Sequence, residues 1–280
     1  MPNRLRRKYE KAILESIASG FERDLLCAAF DNLDLTGPLR FNNFAYALRE
    51  LLRHVLHRLA TDEDVKSCSW FKPDKNAIGG ITRAHRATYA VQGGLSDAFV
   101  TKKLEIDVAT VRTDLLSAID VLNKHTHIEP STFAISKTKT RLLASECLKA
   151  TRYFMDQINR CRAKVATALA DSIDQHLLNH AISETINSID ELATHHFVEG
   201  IYVEDIEVVD IGPQQIDLRV KGTIECELQY GSGSDVRNGL GDVMSTSFPL
   251  SANLTVQLER PLGKIASVER FSVDTSSFYE

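Results

Sequence analysis

The sequence predicts an α+β chain, with an all-helical N-terminal region followed by a small antiparallel β sheet or sandwich. Three observations carry this expectation. Residues 137–194 contain no Gly or Pro and keep helical spacing throughout. From Ile216 to Tyr230 the pattern alternates instead, through Ile216, Leu218, Val220, Ile224, Cys226, Leu228 and Tyr230. The charge balance shifts too, with 6 Lys+Arg against 14 Asp+Glu from Phe197 to Glu280 and 27 against 24 before it.

Taken in order, residues 3–34 read as one or two amphipathic helices carrying Ile13, Leu14, Ile17, Phe21, Leu25 and Leu26. Thr36-Gly37-Pro38 breaks the pattern. A strong helix then spans Arg40 to Leu59. Its Phe41, Phe44, Ala45, Leu48, Leu52, Val55, Leu56 and Leu59 fall within about 60° of one line at ~100° per residue. Residues 61–80, with Pro73 and Gly79-Gly80, read as an ordered loop around Trp70 and Phe71. Short helices are expected over 81–91 and 95–103. Another amphipathic helix covers 107–122, through Val108, Val111, Leu115, Ile119 and Leu122, with Asp107 as N-cap and Glu129-Pro130-Ser131 beyond it as the stop. The 137–194 stretch is one or two long helices, a hairpin or a dimerisation stalk.

In the β region, Val203, Ile206, Val208 and Ile211 precede a turn at Gly212-Pro213, and Gly222 marks a bulge in the alternating strand. Gly231–Asp235 opens a loop running to about Met244, with strands over Phe248–Leu258 and Ile265–Val273. Four or five consecutive strands give a meander or small sandwich. The expected domains are 1–135 (helical), 136–196 (long helices) and 197–280 (acidic antiparallel module).

Composition excludes several classes. At 280 residues, 43% hydrophobic and 25% charged, the chain builds an ordinary core. A net charge of -5 excludes a wholly basic nucleic-acid binder, so any phosphate contact belongs to the helical region, where the cations are. The five cysteines (Cys27, Cys68, Cys147, Cys161, Cys226) form no CxxC pair, which points away from zinc and disulfide scaffolds and towards a reducing cytosol. Arg4, Arg6, Arg7 and Lys8 resemble the start of a signal peptide, but Glu15 interrupts the apolar stretch that follows. No run of about 18 apolar residues is present, and a cytoplasmic protein without metal or cofactor is expected.

Two constellations carry chemistry. Leu122-Asn123-Lys124-His125-Thr126-His127 ends the 107–122 helix, and Asn123 and His127 share a face if helical geometry lasts one more turn. An imidazole moves protons near neutral pH, and a neighbouring amide fixes its tautomer. Histidine is also favoured at helix C-termini, so the same pattern equally describes a cap. On the 40–59 helix, Arg49, Arg53 and His57 form one line, which Asn42 and Tyr46 extend. Two close guanidiniums make sense if an anion bridges them; the alternative is a solvated face with an arginine paired to Glu50. Arg49 and His54 form an Arg-x4-His string, but about 140° apart on a helix, which is no site. Arg83, His85 and Arg86 read as surface, and His195-His196 lacks metal-ligand partners. Glu225/Glu227 lies on the polar face of a strand, with a metal-dependent nuclease as the alternative reading. Gly231–Asp235 follows a strand and precedes no expected helix, unlike a phosphate-binding loop.

Three stretches carry a resemblance: Phe41-Asn42-Asn43-Phe44-Ala45-Tyr46-Ala47-Leu48-Arg49-Glu50, Leu122–Ile128, and Glu227–Asp235 with Ser247-Phe248-Pro249. Together they resemble the predicted pPIWI-associating nucleases of bacterial defence loci. The helical half is also similar to the HEPN superfamily of helical RNases, whose later helix ends in Asn-x3-His. That resemblance implies catalytic roles for Asn123 and His127, with Arg49 or Arg53 supplying the arginine and Lys124, His125, His57 and Asn42 contacting RNA. It departs at Leu122, where many members carry arginine. The implied function is a metal-independent endoribonuclease of an anti-phage system, a homodimer with RNA and defence-protein partners. The alternative is a non-catalytic adaptor of such a complex.

Overall fold

The computed structural model describes residues 4–258 and 265–279. The chain divides into two compact units, Met1–Cys161 and Arg162–Glu280. Helices fill the first: α1 (Arg4–Leu14), α2 (Phe21–Asp34), α3 (Arg40–Leu59), α4 (Asp62–Ser67), α5 (Arg83–Gln92), α6 (Asp97–Lys102) and α7 (Val108–Thr126). The long α8 (Lys137–Ser183) begins in the first unit and ends in the second, so it contributes to both. Asn3, the first residue of the expected opening helix, lies outside the described residues.

Helix α3 is the hub of the first unit and packs against α2, α5 and α7. The predicted stripe is buried as far as Leu56, and Ala47 and Leu51, off the stripe, are buried as well. A helix with neighbours on several sides buries more than one face, and the 3.6-residue period marks only the widest. Side chains start the shorter helices. The Thr61 hydroxyl accepts from Asp64 N–H, the Ser96 hydroxyl from Phe99 N–H, and Asp107 from Thr110 N–H at 3.0 Å, as expected of that residue. Thr82 and His85 form a reciprocal capping box at α5. Two expectations change here. The 61–80 loop contains α4, and Trp70 and Phe71 pack on a small core of Ala60, Val65, Cys68 and Tyr89. Helix α7 runs to Thr126 rather than stopping at Leu122.

In the second unit, α9 (Asn187–Asp190) leads into a four-stranded antiparallel meander of β1 (His195–Ile211), β2 (Gln215–Tyr230), β3 (Asp242–Gln257) and β4 (Ile265–Val273), paired in that order. The alternation of β2 buries Ile216, Leu218, Val220, Ile224, Cys226 and Leu228. Part of that face packs on Ala181, Ile186, Ile189 and Leu192 from the end of α8 and the α9 turn. The bulge expected at Gly222 falls on its partner: β1 shifts register between Val203 and Asp205, leaving Glu204 extra, and shifts again beside Glu199 and Val209. Gly222 is where the two backbones crowd, since a Cβ there would lie 2.3 Å from the Tyr202 carbonyl oxygen. Gly222→Ala is therefore expected to cost about 1–3 kcal/mol, read as a lower urea midpoint at unchanged slope.

The expected loop after Tyr230 also contains a helix, the five-residue α10 (Gly233–Arg237). Ser232 and Asp235 form its capping box, with Ser232 N–H donating to Asp235 Oδ2 at 2.8 Å. Gly231 holds φ +92 beside it. The Gln-Tyr-Gly-Ser-Gly-Ser-Asp stretch is thus a turn-and-cap device that re-enters the sheet at Asp242, ahead of the expected start at Phe248. Among the described residues no helix is long and apolar enough to cross a membrane.

Candidate active site

The site is assembled where the middle of α3 meets the C-terminal end of α7. Arg49 donates from Nη1 to Thr126 Oγ1 at 3.0 Å, a contact spanning 77 positions, and Thr126 Oγ1 in turn donates to the Asn123 carbonyl at 2.8 Å. The Arg49 guanidinium also lies 5.4 Å from the centre of the Tyr46 ring. The arginine line of α3 and the Asn-Lys-His-Thr-His segment therefore adjoin, through a threonine.

An anion does bridge the two arginines, and it is internal. Glu50 accepts from Arg49 Nη2 at 2.9 Å and from Arg53 Nε at 2.8 Å. Burial alone would push the Glu50 carboxyl up; hydrogen bonds from Arg53 and then Arg49 outweigh it and hold the group below its ordinary range. Glu50 thus occupies the donors that a phosphate would use. Glu50→Gln removes the competing charge, so single-stranded RNA is expected to bind several-fold tighter, with a steeper salt dependence by about 0.7 per arginine that gains a phosphate. Thermal melting of the same variant should fall, because both ion pairs are lost.

Arg49, Glu50 and Arg53 also line a cavity of about 240 Å³ with Leu56, His57, Arg83, Arg86 and Ile119. Arg86 is buried and donates to the Ala60 carbonyl and the Asp62 carboxylate, which anchors that wall. His57 titrates below its ordinary value, chiefly through partial desolvation and then the nearby Arg86 and Arg53. The basic cluster at 83–86 therefore splits: Arg83 and Arg86 join the cavity, whereas His85 caps α5 and stacks edge-on against Phe71 at 5.1 Å.

Two residues expected to contact RNA are buried and hydrogen-bonded to backbone carbonyls. Asn42, 5% exposed, donates to the His125 carbonyl at 2.8 Å and faces the Thr132 carbonyl at 3.4 Å. His125, 4% exposed, sets Nδ1 2.8 Å from the Val121 carbonyl and meets the Phe41 ring edge-on at 4.8 Å. They tie α7 and the following turn to α3. The shared helical face of Asn123 and His127 also changes, because α7 ends at Thr126 and His127 is its C-cap with extended backbone (φ -93, ψ 119). Lys124 and His127 are exposed, and neither Asn123 nor His127 lines the cavity. Arg49 alone belongs to both the cavity and the α7 contact.

Two of the alternative carboxylates have partners of their own. Glu225 accepts from the Tyr202 hydroxyl, Asp235 caps α10, and among the described residues no three His, Cys, Asp or Glu side chains form a metal-binding group. His196 pairs with Asp190 at 2.7 Å. Burial pushes the Cys68 and Cys147 thiols up to about 12 and Cys226 up to about 11, which leaves them poor nucleophiles at neutral pH.

Two family models, both described as "Predicted pPIWI-associating nuclease", match residues 14–151 and 158–279. The chain belongs to that family. The junction between the two matches falls inside α8, close to the division between the compact units, so the pPIWI-associating nuclease chain is bipartite by both measures. No curated protein and no solved structure matched the chain. In this predicted nuclease, Glu50, Thr126, Arg83 and Arg86 are site residues that sequence reasoning did not assign to the site. Glu50 had a signal, standing beside Arg49 and three positions before Arg53. Thr126 had none, because its role depends on α7 ending beside α3.

Proposed function

We propose that the chain is an endoribonuclease acting without a metal, with its chemistry at the α3–α7 junction. The observation that carries the reading is the Arg49–Thr126 contact, which holds an α3 guanidinium against the histidine-bearing segment. In this scheme His127 accepts the proton of a ribose 2′-hydroxyl, and the freed oxygen attacks the adjacent phosphorus. The expelled 5′-oxygen takes a proton back from the imidazolium through water, leaving a 2′,3′-cyclic phosphate and a 5′-hydroxyl. Asn123, which has no hydrogen bond to the His127 ring in the free protein, orients the imidazole once RNA is bound. Arg49 and Arg53, released from Glu50 by the incoming phosphate, stabilise the charge that builds on the phosphorane, and Lys124 and His57 contribute phosphate contacts. A second copy of the chain completes the cleft, and the acidic β module serves recognition or restraint within a cytoplasmic anti-phage defence complex.

Incubation of single-stranded RNA in EDTA tests this. Cleavage with cyclic-phosphate ends is the expected result. A requirement for magnesium or manganese would move the chemistry to Glu225, Glu227 and Asp235. A second reading, a non-catalytic adaptor, is favoured by one feature: Glu50 already neutralises both arginines. It predicts RNA or protein binding with no cleavage under either condition.

A further inference from the structure

A second cationic cleft lies in the same helical unit and takes no part in the site above. It encloses about 570 Å³ between the start of α1, the α2–α3 connection, the start of α3 and the start of α8. Arg4, Arg7, Arg40, Lys137 and Arg141 line it, with Asp34 as the one carboxylate in its wall. The placement follows from helix geometry, because Arg4 and Arg7 are three apart on α1 and Lys137 and Arg141 four apart on α8, so each pair shares a face. Tyr9, 3% exposed, hydrogen-bonds Ser145 and pins α1 to α8, and Arg40 Nη2 reaches Thr140 Oγ1 at 3.5 Å to tie α3 to the same helix.

The pairing pattern within α1 separates this cleft from an ordinary charged surface. Arg6 is neutralised by Glu10 and Asp31 at 2.9 and 2.6 Å. Among the described residues Arg4, Arg7, Lys137 and Arg141 have no ion pair, although they converge on one concavity. Like charges brought together without a counter-charge repel one another, and the arrangement is relieved by a polyanion. The cleft is too long for one phosphate. Thr36, Thr138 and Thr140 with Leu5, Leu33 and Leu35 complete the lining, so hydroxyls that suit phosphate oxygens stand beside apolar surface for sugars and bases.

We infer that this cleft binds the sugar-phosphate backbone of a single-stranded nucleic acid, a reading that does not depend on the proposed nuclease chemistry at the α3–α7 junction. The test is binding of a fluorescent single-stranded RNA 20-mer in EDTA across a salt series, for the wild type and for an Arg4→Gln/Arg7→Gln/Arg141→Gln variant. All three side chains are exposed, and an unchanged melting temperature verifies the fold. The expected result is a loss of roughly tenfold or more in affinity at low salt and a salt slope shallower by about 2, at ~0.7 per lost phosphate contact. Equal slopes for the two proteins overturn the cleft even if the wild type cleaves RNA. Reduced slope in the variant sustains it even if the wild type cleaves nothing, in which case only the nuclease reading fails. Wild-type binding to phosphatidylserine vesicles but not to RNA overturns the assignment in favour of a membrane surface.

Discussion

His127→Ala is expected to lower RNA cleavage in EDTA by about 10²–10⁴-fold, the range general acid–base catalysis contributes. RNA affinity should stay nearly unchanged, since the side chain is exposed and has no hydrogen bond among the described residues, leaving little structure to lose. His125→Ala provides the contrast. That ring is buried against Phe41, so its loss should lower the melting temperature and reduce activity only in proportion to the folded fraction. Full cleavage by the His127 variant would remove the α7 end from the chemistry and place the catalytic groups elsewhere in the chain.

The second large effect is expected from Arg49→Ala, a loss of about 10²–10³ in kcat when a donor to a charged transition state is removed. Arg49 does two things, so two further variants separate them. Arg49→Lys keeps the charge but lacks the planar fork that serves Thr126 and Glu50 together, and should recover only part of the rate. Thr126→Val keeps the guanidinium and deletes its anchor, so it should raise KM or lower kcat mildly without abolishing cleavage. If Arg49→Ala cleaves at the wild-type rate while Arg53→Ala does not, the roles of the two arginines are exchanged.

The expected elements were legible where one physical signal dominated. Helix α3 spans the expected Arg40–Leu59, because eight apolar residues fall on one line, and β2 follows from its alternation. Helices α4 and α10 were hidden inside expected loops. Five or six residues are too few to show a period, and their only marks are capping residues at Thr61 and Ser232. Nothing in the periodicity of α3 could show that Asn42 faces the turn after α7, since the partner carbonyls of His125 and Thr132 arrive from 83 and 90 residues away. The burial of Asn42 and His125 shares this cause: a polar residue beside an apolar stripe is exposed or buried according to what packs there.

The bulges of β1 escaped prediction because each extra residue reverses which face the following side chains occupy. They have a further consequence. β1 is an edge strand, and a free edge ordinarily offers an unbroken row of amides and carbonyls to any passing chain. Interruptions beside Glu199, Glu204 and Val209, five residues apart, cut that row into lengths too short to template a new strand, and two of the three place a carboxylate at the break. Self-association of this protein by strand addition at β1 is thereby disfavoured.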